Sequence, residues 1–262
     1  MSLANAAVNL GSRIWRTSGL QKTGLSKFVD YITALPLPFG LSYEFGTLYG
    51  WNIHEKLHNL EPETVTFFKE HLHAGDVIAD IGANIGYYTQ LFSLLVGEGG
   101  TVVAFEPSPD AFGWLKKAVR GKKNVTLVNK GIYSKPDTLR LYSQRKGDPM
   151  GSVVYKRGTH VHEIPVISLR DYPKTFTWAK IDVEGAELEV LRGFASPIQA
   201  VLEVASGIQE EFGEGVKKYL SDIQLLGYEI YFIVAGGTII KYDGTNLDQL
   251  DANIYIKPLA QV

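Results

Sequence analysis

The sequence of 262 residues contains no cysteine, which excludes a disulfide framework, thiolate catalysis and Cys-ligated zinc or iron–sulfur centres. It also lacks an excess of either charge. The 26 Lys and Arg against 28 Asp and Glu leave a formal charge of −2. No global basic field is available to grip a phosphate backbone, so no nucleic-acid partner is expected. An apolar run of the ~18 residues needed to span a membrane is missing too. The most apolar stretch, Leu225 to Ile240, is broken by Glu229 and by Gly236 and Gly237. The first residues lack a basic segment followed by an apolar one, as a secretory signal would have, so a cytoplasmic protein is the expectation. No repeat or low-complexity tract is present, which excludes a solenoid.

What is there is ordinary globular composition, 45 % hydrophobic and 21 % charged, which argues against disorder. From residue 75 onward, apolar β-rich runs alternate with helical patterns. Asp76–Asp80, Thr101–Phe105, Val125–Asn129, Trp178–Val183, Ala200–Ala205 and Tyr228–Val234 read as strands. Tyr87–Leu95, Pro109–Arg120, Ala186–Gly193 and Gly215–Leu226 read as the helices between them. Short strands separated by helices predict an α/β fold, a parallel sheet with right-handed crossovers. The last run, Asn253 to Lys257, follows a Gly-rich stretch and predicts an antiparallel hairpin at the sheet edge.

Two segments depart from the alternation. The first 29 residues carry Arg13, Arg16, Lys22 and Lys27 and no acid. The expectation is a helical cap or extension over residues 1–60 with a solvated basic edge; the alternative is peripheral contact with an anionic membrane surface. Residues 61–262 then form the second domain. Thr138 to Val166, around the turn-rich Gly147-Asp148-Pro149-Met150-Gly151, reads as a hairpin-like insertion where substrate loops often lie.

The strongest local signal is Asp80-Ile81-Gly82-Ala83-Asn84-Ile85-Gly86, which closes the first strand and opens a helix. Glycines there let the backbone approach a ligand at the carboxyl edge of a parallel sheet. Glu106 ends the next strand, where a carboxylate accepts hydrogen bonds from both ribose hydroxyls. Together they predict a nucleoside-containing cofactor. A dinucleotide turn wants G-x-G-x-x-G, but here Asn84 stands at the middle position. Asp80 beside the turn is unfavourable for a pyrophosphate and favourable for an ammonium. S-adenosylmethionine, with an ammonium and no phosphate, therefore fits better than NAD.

The second signal is Lys180-Ile181-Asp182-Val183-Glu184-Gly185-Ala186-Glu187. Strand alternation puts Lys180, Asp182 and Glu184 on one side. Charges at the end of an apolar strand are costly unless paired or used; a salt bridge of Lys180 with Glu187 is the structural reading. Glu203 is a second acid at a neighbouring strand end. His71 and His73 precede the first strand. His160 and His162 would share one strand face, most simply as a polar surface, with His162 the candidate if a histidine takes part. Of Tyr87 and Tyr88, one packs the helix and the other reaches the ligand.

These three motifs, Asp80–Thr89, Phe105-Glu106-Pro107 and Lys180–Gly193, together resemble the FkbM-type methyltransferases over about residues 61–258. The resemblance implies a Rossmann-like class I fold dependent on S-adenosylmethionine, a mostly parallel seven-stranded sheet with its last strand antiparallel. It implies methylation of a hydroxyl on a sugar, glycolipid or other small natural product. By this resemblance Asp80, Gly82, Asn84 and Gly86 line the methionine end of the cofactor, Glu106 holds the ribose and Asn129 lies by the adenine. Asp182 orients or deprotonates the acceptor, supported by Glu184. A rival device is a magnesium ion held by Asp182, Glu184 and Glu203. The alternatives to a hydroxyl acceptor are a carboxylate acceptor, RNA, or a non-catalytic cofactor-binding subunit; a homo-oligomer is compatible with all of them.

Overall fold

A computed structural model describes residues 36–37, 41–42, 61–143, 151–154, 160–204, 215–247 and 253–259. They fall in two units, Met1–Pro62 and Glu63–Val262. In the first, β1 (Pro36–Leu37) pairs antiparallel with β2 (Leu41–Ser42). The expected helical cap over residues 1–60 and the basic segment 1–29 otherwise lie outside the described residues.

The second unit opens in α1 (Pro62–His71) and continues through β3 (Val77–Ile81), α2 (Tyr87–Leu95), β4 (Thr101–Phe105), α3 (Pro109–Ala118) and β5 (Val125–Val128). The insertion supplies β6 (Gly131–Ile132), β7 (Asp137–Ser143), β8 (Gly151–Ser152) and β9 (His160–Ile167). Then follow β10 (Trp178–Ile181), α4 (Glu187–Arg192), β11 (Gln199–Glu203), α5 (Val216–Leu225), β12 (Tyr228–Ile233), β13 (Ile239–Lys241) and β14 (Asn253–Pro258).

The main sheet has the order β13-β12-β14-β11-β10-β3-β4-β5. Its five strands from β11 to β5 run parallel, and β14 is antiparallel to both of its neighbours. The parallel sheet with its last strand antiparallel is thus present, with two corrections. The sheet has eight strands, because the short β13 pairs with β12 beyond the expected seven. And β14 is an interior strand, not an edge. Asn253, Ile254, Tyr255 and Ile256 are all buried, which only a strand covered on both faces and flanked on both sides achieves.

Strand alternation sorts the core. Ala79, Ile81, Val103, Phe105, Ala179, Ile181 and Leu202 join Val190 and Leu191 of α4 and Tyr219, Leu220 and Ile223 of α5 in one cluster. On the opposite face, Phe67 and Phe68 of α1 meet Trp178 edge-on at 6.1 and 6.3 Å, and Phe68 meets Phe92 of α2 at 4.7 Å. Burying each such ring contributes roughly 1.5–3 kcal/mol. Ala104 packs with Leu115 and Val119 along α3. Helices therefore cover both faces, as a parallel sheet requires.

The insertion forms its own four-stranded sheet of order β6-β9-β7-β8, with β7 and β9 antiparallel. Leu141, Ile164 and Val166 make its apolar face. Among the described residues no helix is long and apolar enough to cross a membrane.

Candidate active site

The glycine turn after β3 is threaded between the ends of β4 and β10. Gly82 and Ala83 both donate their amides to the Phe105 carbonyl at 3.0 Å, and the Asp182 amide donates to the Ile81 carbonyl at 3.0 Å. Gly82 has φ 80, and a Cβ there would lie 1.8 Å from the Asp182 carbonyl oxygen. Only glycine permits that approach. Gly86, at φ 94, looks the other way, onto Leu115 and Ala118 of α3, so its missing side chain admits a helix. Asn84 adopts a left-handed φ of 51. Its Oδ1 is buried and has no hydrogen-bond partner among the described residues, which leaves an acceptor open to a donor beyond them.

Glu106, one residue past β4, is 5 % exposed. Its Oε2 accepts the Asn84 amide and its Oε1 the Ser108 amide, both at 2.7 Å. A carboxylate has about four acceptor sites, so each oxygen retains one. Burial pushes the Glu106 carboxyl up to about 8, against the two amides that favour its ionised form, with Asp182 and Asp80 adding repulsion. Asn129 is exposed and donates Nδ2 to the carbonyls of Glu106 (2.7 Å) and Pro107 (3.2 Å), which fixes the loop carrying Glu106.

On the other side of β3, Asp80 and Lys180 are register partners under α2. Thr89 of α2 donates its hydroxyl to Asp80 Oδ2 at 2.5 Å. Burial raises the Asp80 carboxyl to about 6, against that hydrogen bond and the Lys180 charge. Lys180, 2 % exposed, donates to Asp182 Oδ2 at 2.8 Å and lies 4.6 Å above the Tyr88 ring. Burial alone would raise Asp182, but Lys180 and a hydrogen bond with Glu203 outweigh it, and the group titrates below its ordinary value. Two carboxyls joined by a hydrogen bond share one proton between them.

The structure corrects two expectations here. The ion pair of Lys180 is with Asp182, whereas Glu187 serves the loop backbone, accepting the Gly185 amide at 3.0 Å and the Val183 amide at 3.4 Å. Strand alternation also stops at Ile181, and Glu184 turns to a left-handed φ of 54. The magnesium alternative at Asp182, Glu184 and Glu203 finds no support. Among the described residues no three acidic or imidazole side chains are arranged to hold a metal ion. Asp182 is committed to Lys180 and Glu203 instead.

His160 and His162 do share a face of β9, with their Nε2 atoms 3.0 Å apart and His162 Nε2 4.0 Å from Asp110. His71 donates Nδ1 to the Phe67 carbonyl at 2.8 Å, a structural role. Tyr88 is buried against Phe68 and Phe92. The sequence motifs did not reveal the roles of three residues: Thr89, Glu187 as a loop brace, and Ser152, whose hydroxyl donates to the Glu184 carbonyl at 2.7 Å. Helical position could have found Thr89, since the first turn of α2 faces the sheet.

The donor set fits S-adenosylmethionine. Asp80, Glu106, Asp182 and Glu184 interact electrostatically with one another at the carboxyl edge, with Lys180 between them. Such a field suits a ligand bearing an ammonium and a sulfonium and opposes a pyrophosphate. Glu106 retains acceptor sites for two ribose hydroxyls, and the Asn84 Oδ1 awaits a donor.

Comparison with known proteins agrees. The chain is 28 % identical over 177 residues to the hexuronic acid methyltransferase AglP of Haloferax volcanii, a match spanning 63 % of this chain and 70 % of that protein. It is 29 % identical over 143 residues to methyltransferase 1 of Beauveria bassiana, spanning 44 % of this chain and 57 % of the relative's length. The solved structure of methyltransferase FkbM from Methylobacillus flagellatus aligns at 17 % identity with a TM-score of 0.46, covering 94 % of this chain and 60 % of that one. The family model described as the methyltransferase FkbM domain matches residues 80–230. That segment is more than half of the chain and carries the glycine turn, Glu106 and the Asp182 loop, so this protein belongs to the FkbM methyltransferase family, whose cofactor is S-adenosylmethionine.

Proposed function

We propose that the protein methylates an oxygen of a sugar or a sugar-bearing small molecule, with residues 61–262 as the catalytic domain and residues 1–60 as an extension. The observation that carries the reading is the convergence of Asp80, Glu106 and Asp182 with the unpartnered Asn84 Oδ1 on the ends of three adjacent parallel strands. The identity shared with a hexuronic acid methyltransferase supports a sugar as acceptor.

Each residue then has a chemical task. Glu106 would accept the two ribose hydroxyls, and Asn129 fixes the loop that carries it. Asn84 Oδ1 would accept from the ammonium of the methionine end, with Asp80 supplying negative potential from beneath α2. Gly82 gives the turn its close approach to Asp182. S-adenosylmethionine supplies, when bound, an electrophilic methyl group on a sulfonium. Asp182 stays ionised because Lys180 and Glu203 hold it so; it orients the acceptor by accepting its O–H. Glu184 is raised by burial and by the neighbouring Asp182 charge, which makes it the better proton acceptor of the two.

A hexuronic acid also offers a carboxylate, and a carboxylate acceptor carries no proton to remove. Incubation of the protein with methyl-labelled cofactor and matched glucuronic acid and glucose acceptors separates the readings. The expected product is a base-stable methyl ether on sugar hydroxyl. A base-labile ester would assign the carboxylate. Label entering RNA and no sugar would overturn the proposal.

A further inference from the structure

We propose that Ser152, on β8 of the insertion, is a positioning residue for the methyl-transfer reaction: its hydroxyl clamps the backbone at Glu184 and aims that carboxylate at the acceptor. The inference rests on the reading of the Asp182–Gly185 loop as the acceptor side of the site.

Glu184 sits at φ 54. A left-handed conformation is unfavourable for a residue with a Cβ and persists only where surrounding contacts impose it. The contacts are present on both sides of the loop. Glu187 takes the amides of Val183 and Gly185 from the α4 side. From the opposite side, Ser152 Oγ donates to the Glu184 carbonyl at 2.7 Å while accepting the Val154 amide at 3.0 Å. Ser152 is 6 % exposed, so water cannot easily take over its bond. The short strand that carries it is tied in by pairing and packing. Gly151 and Ser152 pair with Ser143 and Tyr142 of β7, and Gly151 lies tightly against Leu141 in the apolar face of the insertion.

A contact that only filled space would need no hydroxyl at this position. Here one hydroxyl links two segments 32 residues apart and ends on the carbonyl of the one non-glycine residue of the loop with positive φ. The insertion therefore bears directly on the Glu184 backbone. It fixes the direction of the proton-accepting carboxylate, so an acceptor that shifts the insertion also shifts Glu184.

The test uses full-length protein with carbon-13 at the glutamate carboxyls, the Glu184 signal being assigned by its loss in Glu184→Gln. In Ser152→Ala the titration of Glu184 should move down toward the ordinary carboxylate range, and the Gly185 amide should exchange with deuterium roughly tenfold faster. Ser152→Thr, which keeps the hydroxyl, should return both to wild type. Ser152→Cys keeps the volume and weakens the donor, and it carries the test if the alanine variant does not fold. In a Glu184→Gly background, where the backbone is relaxed, removal of the hydroxyl should no longer speed exchange. Unchanged titration and exchange in Ser152→Ala and Ser152→Cys would overturn the positioning role. The thermal shift with S-adenosylmethionine, measured on the same wild-type sample, stands apart: its absence would overturn the reading of the site and not the clamp.

Discussion

The Asn84 backbone amide donates to Glu106 Oε2 at 2.7 Å, so the glycine turn after β3 and the carboxylate after β4 form one unit. Glu106 is already holding the turn before any ligand arrives, and a ligand diol would bind to a preset carboxylate. Replacing it acts on both jobs. Glu106→Gln presents an NH2 group to one of the two amides and offers weaker acceptors to the ribose. It should weaken S-adenosylmethionine binding by roughly tenfold to a hundredfold and lower the melting temperature of the cofactor-free protein. Calorimetric titration checks the first effect and a thermal melt the second; wild-type affinity in a folded variant would remove Glu106 from the site.

The buried acids predict the pH response. Glu106 is raised from 4.5 to about 8, Glu187 from 4.5 to about 7 and Asp80 from 3.8 to about 6. A raised carboxyl binds its proton more tightly in the folded state. Its stabilisation is complete below the ordinary value and is lost as pH rises through the folded one. Asp182, lowered, acts in the opposite sense but only below 3.8. The cofactor-free protein should therefore lose stability, on the order of a few kcal/mol, as pH climbs from about 4.5 to about 8. A bound cation favours the ionised acids, so the stabilisation by S-adenosylmethionine should grow over the same interval. Melting temperatures in a pH series, with and without cofactor, test both slopes, and a rising cofactor-free curve would refute the account of Glu106.

Asn84→Gly separates ligand binding from stability by sign. Glycine accepts the left-handed φ without strain and removes the buried, unpartnered Oδ1. Cofactor-free melting should not fall, while cofactor affinity should drop about tenfold, the loss of one charge-assisted hydrogen bond. A parallel fall of both would mean that Asn84 serves the fold alone.

Asp182→Asn keeps the shape and removes the charge that Lys180 neutralises. Cofactor binding should persist within a few fold, and methyl transfer should slow by about 10²–10⁴. An unchanged rate would take Asp182 out of the mechanism.

Much of this was legible in the sequence because the signals are local. Tyr87–Leu95 and Thr101–Phe105 fall where periodicity places them, since an apolar run and an amphipathic stretch need no distant partner to be read. The glycine turn and Glu106 could be linked because a parallel sheet puts consecutive strand ends side by side. What escaped depends on long-range register. The position of β14 between β11 and β12 follows from pairing partners 50–56 and 22–30 residues away, and a hydrophobic run alone does not name them. The third-residue charge of Lys180-Ile181-Asp182 looked like simple alternation, yet the strand ends at Ile181 and Glu184 is left-handed, in a loop bonded by Glu187 and Ser152. Ser152 itself lies in a turn-rich segment with no pattern, where only the folded chain shows that its hydroxyl reaches the Glu184 carbonyl.

The central claim is that the ends of β3, β4 and β10 hold the methyl donor. A crystal structure of the protein with S-adenosylhomocysteine tests it most directly. The account predicts both ribose hydroxyls on Glu106, with the Asn84 and Ser108 amides still in place, and the ligand's amino group on Asn84 Oδ1. Density for the ligand elsewhere, with Asn84 Oδ1 still unpartnered, would contradict it.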